Sequence, residues 1–351
     1  MRVLIYNFDA INPLAHEWAH ILVNQKITVS LVNHRQSIKC NLKNLDIHSL
    51  EDFKLRMGEK YDIIFLPWIP PRRELLRFIA NWIKCGFAEI FWIDHNPIHG
   101  RDREGLILKF LRNTKNHKIH KITHGAENPS ETYPNTNFFP HPIFQNAFEN
   151  TNYKKTKRVN NSLNFAFIGR LDEQKGLHEL PRLASRISSG IKVPTNWIIA
   201  GNNPNMTRVF DVIESIQKLP NVSVEPYVYG KNCPDEFILH ALLEADFLFA
   251  PYKLVTASGT ISLALALDTE IICLSQSVPA GLENFKNGSL HCIDEENLIE
   301  FLKGKINYNS NDPLHKKMDI KKAIEIHNQI CGEIFLLLAK KIRKNWETHN
   351  E

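Results

Sequence analysis

The sequence predicts an α/β protein built as two domains in tandem, each a parallel sheet covered by helices. Three observations carry that prediction. Short apolar, β-branched runs alternate with helical patterns, the alternation occurs in two successive blocks, and a polar stretch rich in Asn and Lys separates them. The length agrees, since 351 residues at roughly 100–200 per domain suggest two domains.

In the first block, strands are expected at Val3–Tyr6, Ile27–Val32, Ile63–Leu66 and Glu89–Ile93, with helices over about 13–25 and 72–84. The stretch NAFENTNYKKTKRVNNS (146–162) is poor in large aliphatics and reads as a linker. In the second block, strands are expected at Asn164–Ile168, Asn196–Ala200, Val222–Glu225, Phe247–Ala250 and Glu270–Cys273. Helical patterns at about 176–188, 206–218, 234–244 and 259–267 separate them. From Met318 to about Trp346 one long helical pattern carries Ile320, Ala323, Ile324, Ile330, Ile334, Leu337 and Ile342. The expected division is a first domain over 1–150, a linker over 151–162, a second domain over 163–317 and a terminal helix over 318–351. Both domains read as Rossmann-like. Such sheets bind ligands at the carboxyl ends of their strands, so two facing sheets are expected to make an interdomain cleft.

Composition excludes several classes. Hydrophobic residues make up 43% and charged residues 23%, ordinary globular values that rule out wholesale disorder. No apolar run approaches the ~18 residues that span a bilayer. The opening MRVLIYNFDA reads as a strand rather than a secretory signal, and the six cysteines form no C-x-x-C pair. Reduced thiols and a cytoplasmic location are therefore expected. The net charge of +5 is uneven: residues 1–155 hold 21 Lys+Arg against 15 Asp+Glu (+6), and residues 156–351 hold 22 against 23 (−1). The positive first half favours an anionic partner, such as a phospholipid surface or a polyphosphate group. No basic–aromatic stripe or recognition motif points to nucleic acid.

The second half carries the sharpest motifs. In FAFIGRLDEQKGLHEL (165–180), Gly169 lets the chain turn at a strand end, and Arg170 and Lys175 are two cations at the mouth of a strand–helix crossover, where an anion would sit. The plain alternative is two solvated charges beside a loop. NWIIAGNN (196–203) is a buried strand ending in Gly201. In DFLFAPYKLVTASGTISLALALDTEIICLS (246–275), a strand ends at Pro251-Tyr252, and Ser258-Gly259-Thr260 opens an apolar helix. Ser258 suits a helix cap, Gly259 allows close backbone approach, and the first free N–H groups suit a phosphate. Alone, each is an ordinary strand, turn or cap; the conjunction in one domain points to an anion.

That order of motifs resembles the donor-binding domain of GT-B glycosyltransferases, in particular the broad group that includes family 4 and related bacterial surface-polysaccharide transferases. In the first half, FWIDHNPIHG (91–100) resembles the strand-plus-His-Asn segment of such enzymes, and FFPHPIF (138–144) resembles the segment just before their interdomain linker. The resemblance implies the GT-B fold, with two Rossmann-like domains facing a cleft and a C-terminal helix crossing back to the N-terminal domain. It implies a nucleotide-diphosphate sugar, UDP- or GDP-linked, as donor substrate, with no cofactor and no metal. The donor would be held by Gly169, Arg170, Lys175, Gly201, Tyr227, Tyr252, Ser258, Gly259 and Thr260. Asn12, His16, Glu17 and His99 would lie on the acceptor side. The acceptor would be a saccharide or a lipid-linked saccharide, as in bacterial polysaccharide or glycolipid synthesis. One departure is clear. Family 4 enzymes usually carry two glutamates around the last motif, and their places fall on Leu263 and near Val255. Ribose recognition must therefore differ here, and retention or inversion of the sugar linkage stays open. A GT-B protein that binds a sugar nucleotide without catalysis is the runner-up reading.

Transfer from a nucleotide sugar builds negative charge on the departing phosphate, which cations and backbone N–H groups can offset. An inverting reaction also needs a base near the acceptor hydroxyl. Asp94 and His95 follow a strand on the edge expected to face the cleft. Asp94 is the expected base if the enzyme inverts; its plain alternative is a turn-stabilising Asx residue. The resemblance has His95 contacting the donor sugar, and its plain alternative is a satisfied loop histidine.

Two further motifs compete or add. His16-Glu17-Trp18-Ala19-His20 matches H-E-x-x-H, a zinc pattern with Glu as base. Its extension fails, because Val23 stands where Gly is required and Lys26 where a third His would be. A nicotinamide-dependent enzyme is disfavoured, since the first strand is followed by NFDAINP rather than G-x-G-x-x-G. PRRELLRFIANWIK (71–84) sets Leu75, Ile79, Trp82 and Ile83 among Arg72, Arg73, Arg77 and Lys84. It reads either as an interfacial helix on an anionic membrane, on the inner face, or as a sheet-covering helix.

Overall fold

The computed structural model describes residues 1–7, 14–33, 44–49, 60–67, 78–80, 82–84, 88–93, 119–123, 136–138, 140–144, 162–251, 259–274, 282, 285–286, 288–307 and 320–349. The chain forms two compact units, Met1–Glu149 with Glu325–Glu351, and Asn150–Ile324. The expected linker over 151–162 lies outside the described residues, apart from Ser162.

The first unit is a parallel sheet of seven strands: β1 (Arg2–Asn7), β2 (Thr28–Asn33), β3 (Leu45–Ser49), β4 (Ile63–Leu66), β5 (Glu89–Ile93), β6 (Ile119–Thr123) and β7 (Thr136–Phe138). Their order is β3-β2-β1-β4-β5-β6-β7. The four strands expected from apolar runs are β1, β2, β4 and β5, which make up the middle of the sheet. The other three, LDIHS, IHKIT and TNF, are polar at more than half of their places. Strands covered on both faces read as continuous apolar runs, and those nearer an edge do not.

Side chains alternate across this sheet. Leu4, Tyr6, Ile64, Leu66, Ile90 and Trp92 build one face with Phe78, whose ring meets Tyr6 edge-on at 5.6 Å. On the other face, Phe65 and Phe91 meet α1 (Leu14–Asn24) and the C-terminal helix. Trp18 lies 5.3 Å from Phe65, and Phe335 lies 5.7 Å from Phe65 and 5.1 Å from Phe91, centroid to centroid. The return of the last helix to the N-terminal unit agrees with the expected fold. Its residues from Glu325 onward belong to that unit. Asn328 donates to the Ile143 carbonyl at 2.9 Å and accepts from the Ile143 N–H at 2.9 Å.

The second unit is a parallel sheet of six strands: β8 (Leu163–Arg170), β9 (Thr195–Asn202), β10 (Val222–Tyr229), β11 (Phe247–Ala250), β12 (Glu270–Cys273) and β13 (Leu290–Cys292). The order β10-β9-β8-β11-β12-β13 is that of a doubly wound sheet. Helices α2 (Leu180–Gly190), α3 (Met206–Gln217), α4 (Asp235–Glu244), α5 (Gly259–Ala266) and α6 (Leu298–Asn307) accompany it, and the C-terminal helix, α7, runs over Ile320–His349. Trp197 stacks on Phe165 at 4.8 Å and meets Phe249 edge-on at 5.2 Å, at the centre of the core. Strand β13 and helix α6 go beyond the sequence reading. A three-residue strand offers no run to recognise.

Candidate functional site

Strand order places the site. In a doubly wound sheet the crevice for ligands opens at the carboxyl ends of the two strands where the winding reverses. In the second unit those strands are β8 and β11, which pair directly, Phe165 with Phe247 and Ala166 with Leu248. Strand β8 ends in Gly169-Arg170 and β11 is followed by Pro251.

Strands β8 and β9 run further than apolar runs suggest. Gly169 and Arg170 are the last residues of β8, paired with Gly201 and Asn202. Glycine at 201 permits this, because a Cβ there would fall 1.9 Å from the Gly169 carbonyl oxygen. Gly169 has φ +98°, a left-handed conformation that glycine adopts freely.

The next residues fold back over the strand ends. The Asp172 carboxylate accepts the Lys175 N–H at 3.1 Å, closing a short turn over Glu173–Lys175. Gly176, at φ +82°, reverses the chain, and a Cβ on it would meet the Pro251 carbonyl oxygen at 2.9 Å. On the other side, a Cβ on Gly169 would meet Thr260 Cγ2 at 3.0 Å. The loop 170–176, Pro251 and the first turn of α5 are therefore packed together at one edge of the sheet. The opening amides of α5, from Gly259, lie at the positive end of the helix dipole. Their dipole and the Arg170 and Lys175 cations suit an anion.

Arg170 is 53% exposed on its side chain, pairs with Asp172 and donates to Gln174. Asp172 is a site-building residue that the motif reading passed over. Its signal is the spacing Asp172 to Lys175, an Asx-type cap three residues ahead of the amide it holds. Asn203 is a second: its side-chain amide donates to the Leu171 carbonyl and so ties β9 to the same loop.

Tyr227, on the edge strand β10, stacks on Phe237 at 4.5 Å and donates its hydroxyl to Glu225, which pushes its pKa up to about 12. Asp94, His95, His99, Asn12, Tyr252 and Ser258 lie outside the described residues.

In the first unit, Glu17 is 0% exposed and its carboxylate accepts from the Asn328 amide at 3.0 Å. His16 is 6% exposed; burial, with a smaller effect of His20, brings its pKa down to about 4, so the ring is neutral. The H-E-x-x-H helix thus sets both residues into the packing between α1 and its surroundings. Among the described residues, no group of three His, Cys, Asp or Glu side chains is placed to hold a metal ion.

No protein-family model matches the chain, and no curated protein matches its sequence. Solved structures do match. An α-glucosyltransferase in complex with UDP is similar at 13% identity and a TM-score of 0.59, covering 97% of this chain and 100% of that one. The catalytic domain of starch synthase IV from Arabidopsis thaliana, bound to ADP and acarbose, is similar at 12% identity and a TM-score of 0.58, covering 97% and 99%. A glycosyltransferase from Rickettsia africae is similar at 12% identity and a TM-score of 0.54, covering 98% and 99%. At such identities the likeness speaks for architecture alone, and the architecture is plain: this chain has the GT-B fold.

Proposed function

We propose that this protein is a glycosyltransferase that moves a sugar from a nucleotide-diphosphate sugar to a saccharide or lipid-linked saccharide acceptor. The observation that carries the reading is the joining of the 170–176 loop, Pro251 and the start of α5 at the β8/β11 switch point. The bond from the sugar to the donor's terminal phosphate breaks, and the acceptor oxygen takes the sugar. The departing phosphate's charge is met by Arg170, Lys175 and the amides from Gly259, with no metal required. Gly169 and Gly201 let the strand ends and Thr260 pack closely beside the proposed donor site. Ser258, Tyr252 and Tyr227 complete the proposed donor side. Asp94 takes the acceptor's proton if the reaction inverts, His95 contacts the donor sugar, and Asn12 and His99 stand on the acceptor side.

The nucleotides of the similar structures, UDP and ADP, are the first donors to try, with GDP, CMP and dTDP beside them. A thermal-shift screen fixes the donor class, and a transfer assay with the matching sugar nucleotides tests turnover. Stabilisation by none of the nucleotide diphosphates would overturn the reading. Leu263 favours a second one: it stands half-buried on α5, where family 4 enzymes usually carry a glutamate. Tight binding without turnover on any donor would make the protein a sugar-nucleotide-binding module.

An anionic membrane surface is the proposed second partner. Phe78 and Trp82 face inward, with the Trp82 indole donating to the Ala88 carbonyl at 2.8 Å. Ile79 and Ile83, one turn apart, are 37% and 52% exposed beside an exposed Lys84. Apolar side chains beside cations suit a lipid interface. Flotation with anionic but not neutral liposomes is expected, and equal recovery with both would remove the membrane from the proposal.

A further inference from the structure

Two thiols outside the residues assigned above face each other at the same sheet edge. Cys273 ends β12 and Cys292 ends β13, and the two are register partners on neighbouring parallel strands. Partners in a parallel pair point to the same face. Neighbouring strands run about 4.8 Å apart, inside the ~4.4–6.8 Å between α-carbons that a disulfide spans. The side chains are already in hydrogen-bond contact, with the Cys273 thiol donating to the Cys292 sulfur. Cys273 is buried and Cys292 half-buried.

The electrostatics set the two apart. The hydrogen bond from Cys273, with the Lys286 charge, holds Cys292 below the usual thiol range despite its burial. Its partner is pushed the other way, by the same hydrogen bond and then by burial. Cys292, the less buried member, is therefore the better nucleophile, and Cys273 is positioned to resolve it.

We propose that Cys273 and Cys292 form a redox couple that closes to a disulfide when a hydroperoxide reaches Cys292. The Cys292 thiolate attacks one peroxide oxygen, the O–O bond breaks, and hydroxide leaves as water after taking a proton. This leaves a sulfenic acid on Cys292. The Cys273 sulfur then attacks the Cys292 sulfur. An S–S bond forms, the S–O bond breaks, and the Cys273 thiol proton leaves with the hydroxyl as a second water. Two thiols lose two electrons, and one hydrogen peroxide is reduced to two waters. The couple stands apart from the reading of the anion site, and neither depends on the other.

The test is peptide mapping of the reduced full-length protein after hydrogen peroxide, without reductant. Trypsin cuts after Lys286, so Cys273 and Cys292 fall in separate peptides with one cysteine each. The expected result is those two peptides joined with the loss of two hydrogen atoms, and parted again by dithiothreitol. Cys292→Ser should abolish the join and leave Cys273 unmodified. As a check on unsubstituted protein, iodoacetamide should label Cys292 about tenfold faster than the half-buried Cys233, whose thiol burial pushes up to about 11. Oxidation of Cys292 to the sulfinic or sulfonic acid with Cys273 still reduced would overturn the couple. So would pairing of either with another cysteine, or labelling of Cys292 no faster than Cys233.

Discussion

Gly169 and Thr260 touch where β8 ends and α5 begins: a methyl group on Gly169 would stand 3.0 Å from Thr260 Cγ2. The contact joins two segments some ninety residues apart in sequence. Gly169→Ala meets both this crowding and a positive φ of +98°, and should cost about 1–3 kcal/mol in urea unfolding. Thr260→Ser removes the crowding methyl group but not the backbone strain. The double variant should therefore recover only part of the loss. Full stability of Gly169→Ala alone would show that this edge yields freely.

Removing one cation from the proposed anion site should weaken nucleotide-diphosphate binding without touching the nucleoside. Arg170→Ala and Lys175→Ala are each expected to raise the Kd for the stabilising diphosphate about tenfold, the worth of one charge-assisted hydrogen bond. Binding of the parent nucleoside should change little. Isothermal titration with both ligands checks this. Equal losses for the two would place the cations elsewhere than at the phosphates.

The neutral His16 makes the fold acid-sensitive in a defined window. Its pKa is about 4 in the folded chain against 6.5 when unfolded, so between these values only the unfolded chain takes up the proton. Stability is full above 6.5, falls as the pH drops through the window, and gains no further slope from this group below about 4. At ~1.4 kcal/mol per unit of pKa, the total is on the order of 3 kcal/mol. His16→Gln, which has no proton to accept, should flatten that slope in urea titrations at several pH values. An unchanged slope would assign the acid sensitivity to other groups.

Asn328 holds the C-terminal helix to the first unit through Glu17 and both backbone groups of Ile143. Asn328→Ala leaves a buried carboxylate and a backbone pair without this partner, and should cost about 2–4 kcal/mol. Its neighbour Gln329 is exposed and bonded to Glu333 within the helix, so Gln329→Ala should stay within about 0.5 kcal/mol. Chemical denaturation of both variants makes the comparison. Similar small losses would mean the helix is held by its apolar contacts alone.

Much of the architecture is written locally. VLIY, IIFL, IFWI, FLFA and IIC are unbroken apolar runs because they form strands covered on both faces, and that coverage is what a run records. Strands that mix in polar residues, such as LDIHS and IHKIT, leave no such record. Two motifs of the second half were equally legible, since Gly169, Gly176 and Gly201 mark places where a side chain is unwelcome.

The sequence alone determined two α/β units, their central strands, a long terminal helix and the residue types an anion would need. Which of these meet is fixed by strand pairing. Pairing of β8 with β11 brings Gly176 onto Pro251 and Gly169 onto Thr260. The same long-range packing turned Glu17, read as a possible base or acceptor contact, into the buried partner of Asn328. Periodicity reports what one segment needs to bury. Which distant segment buries it is set by strand order, a property of the whole sheet.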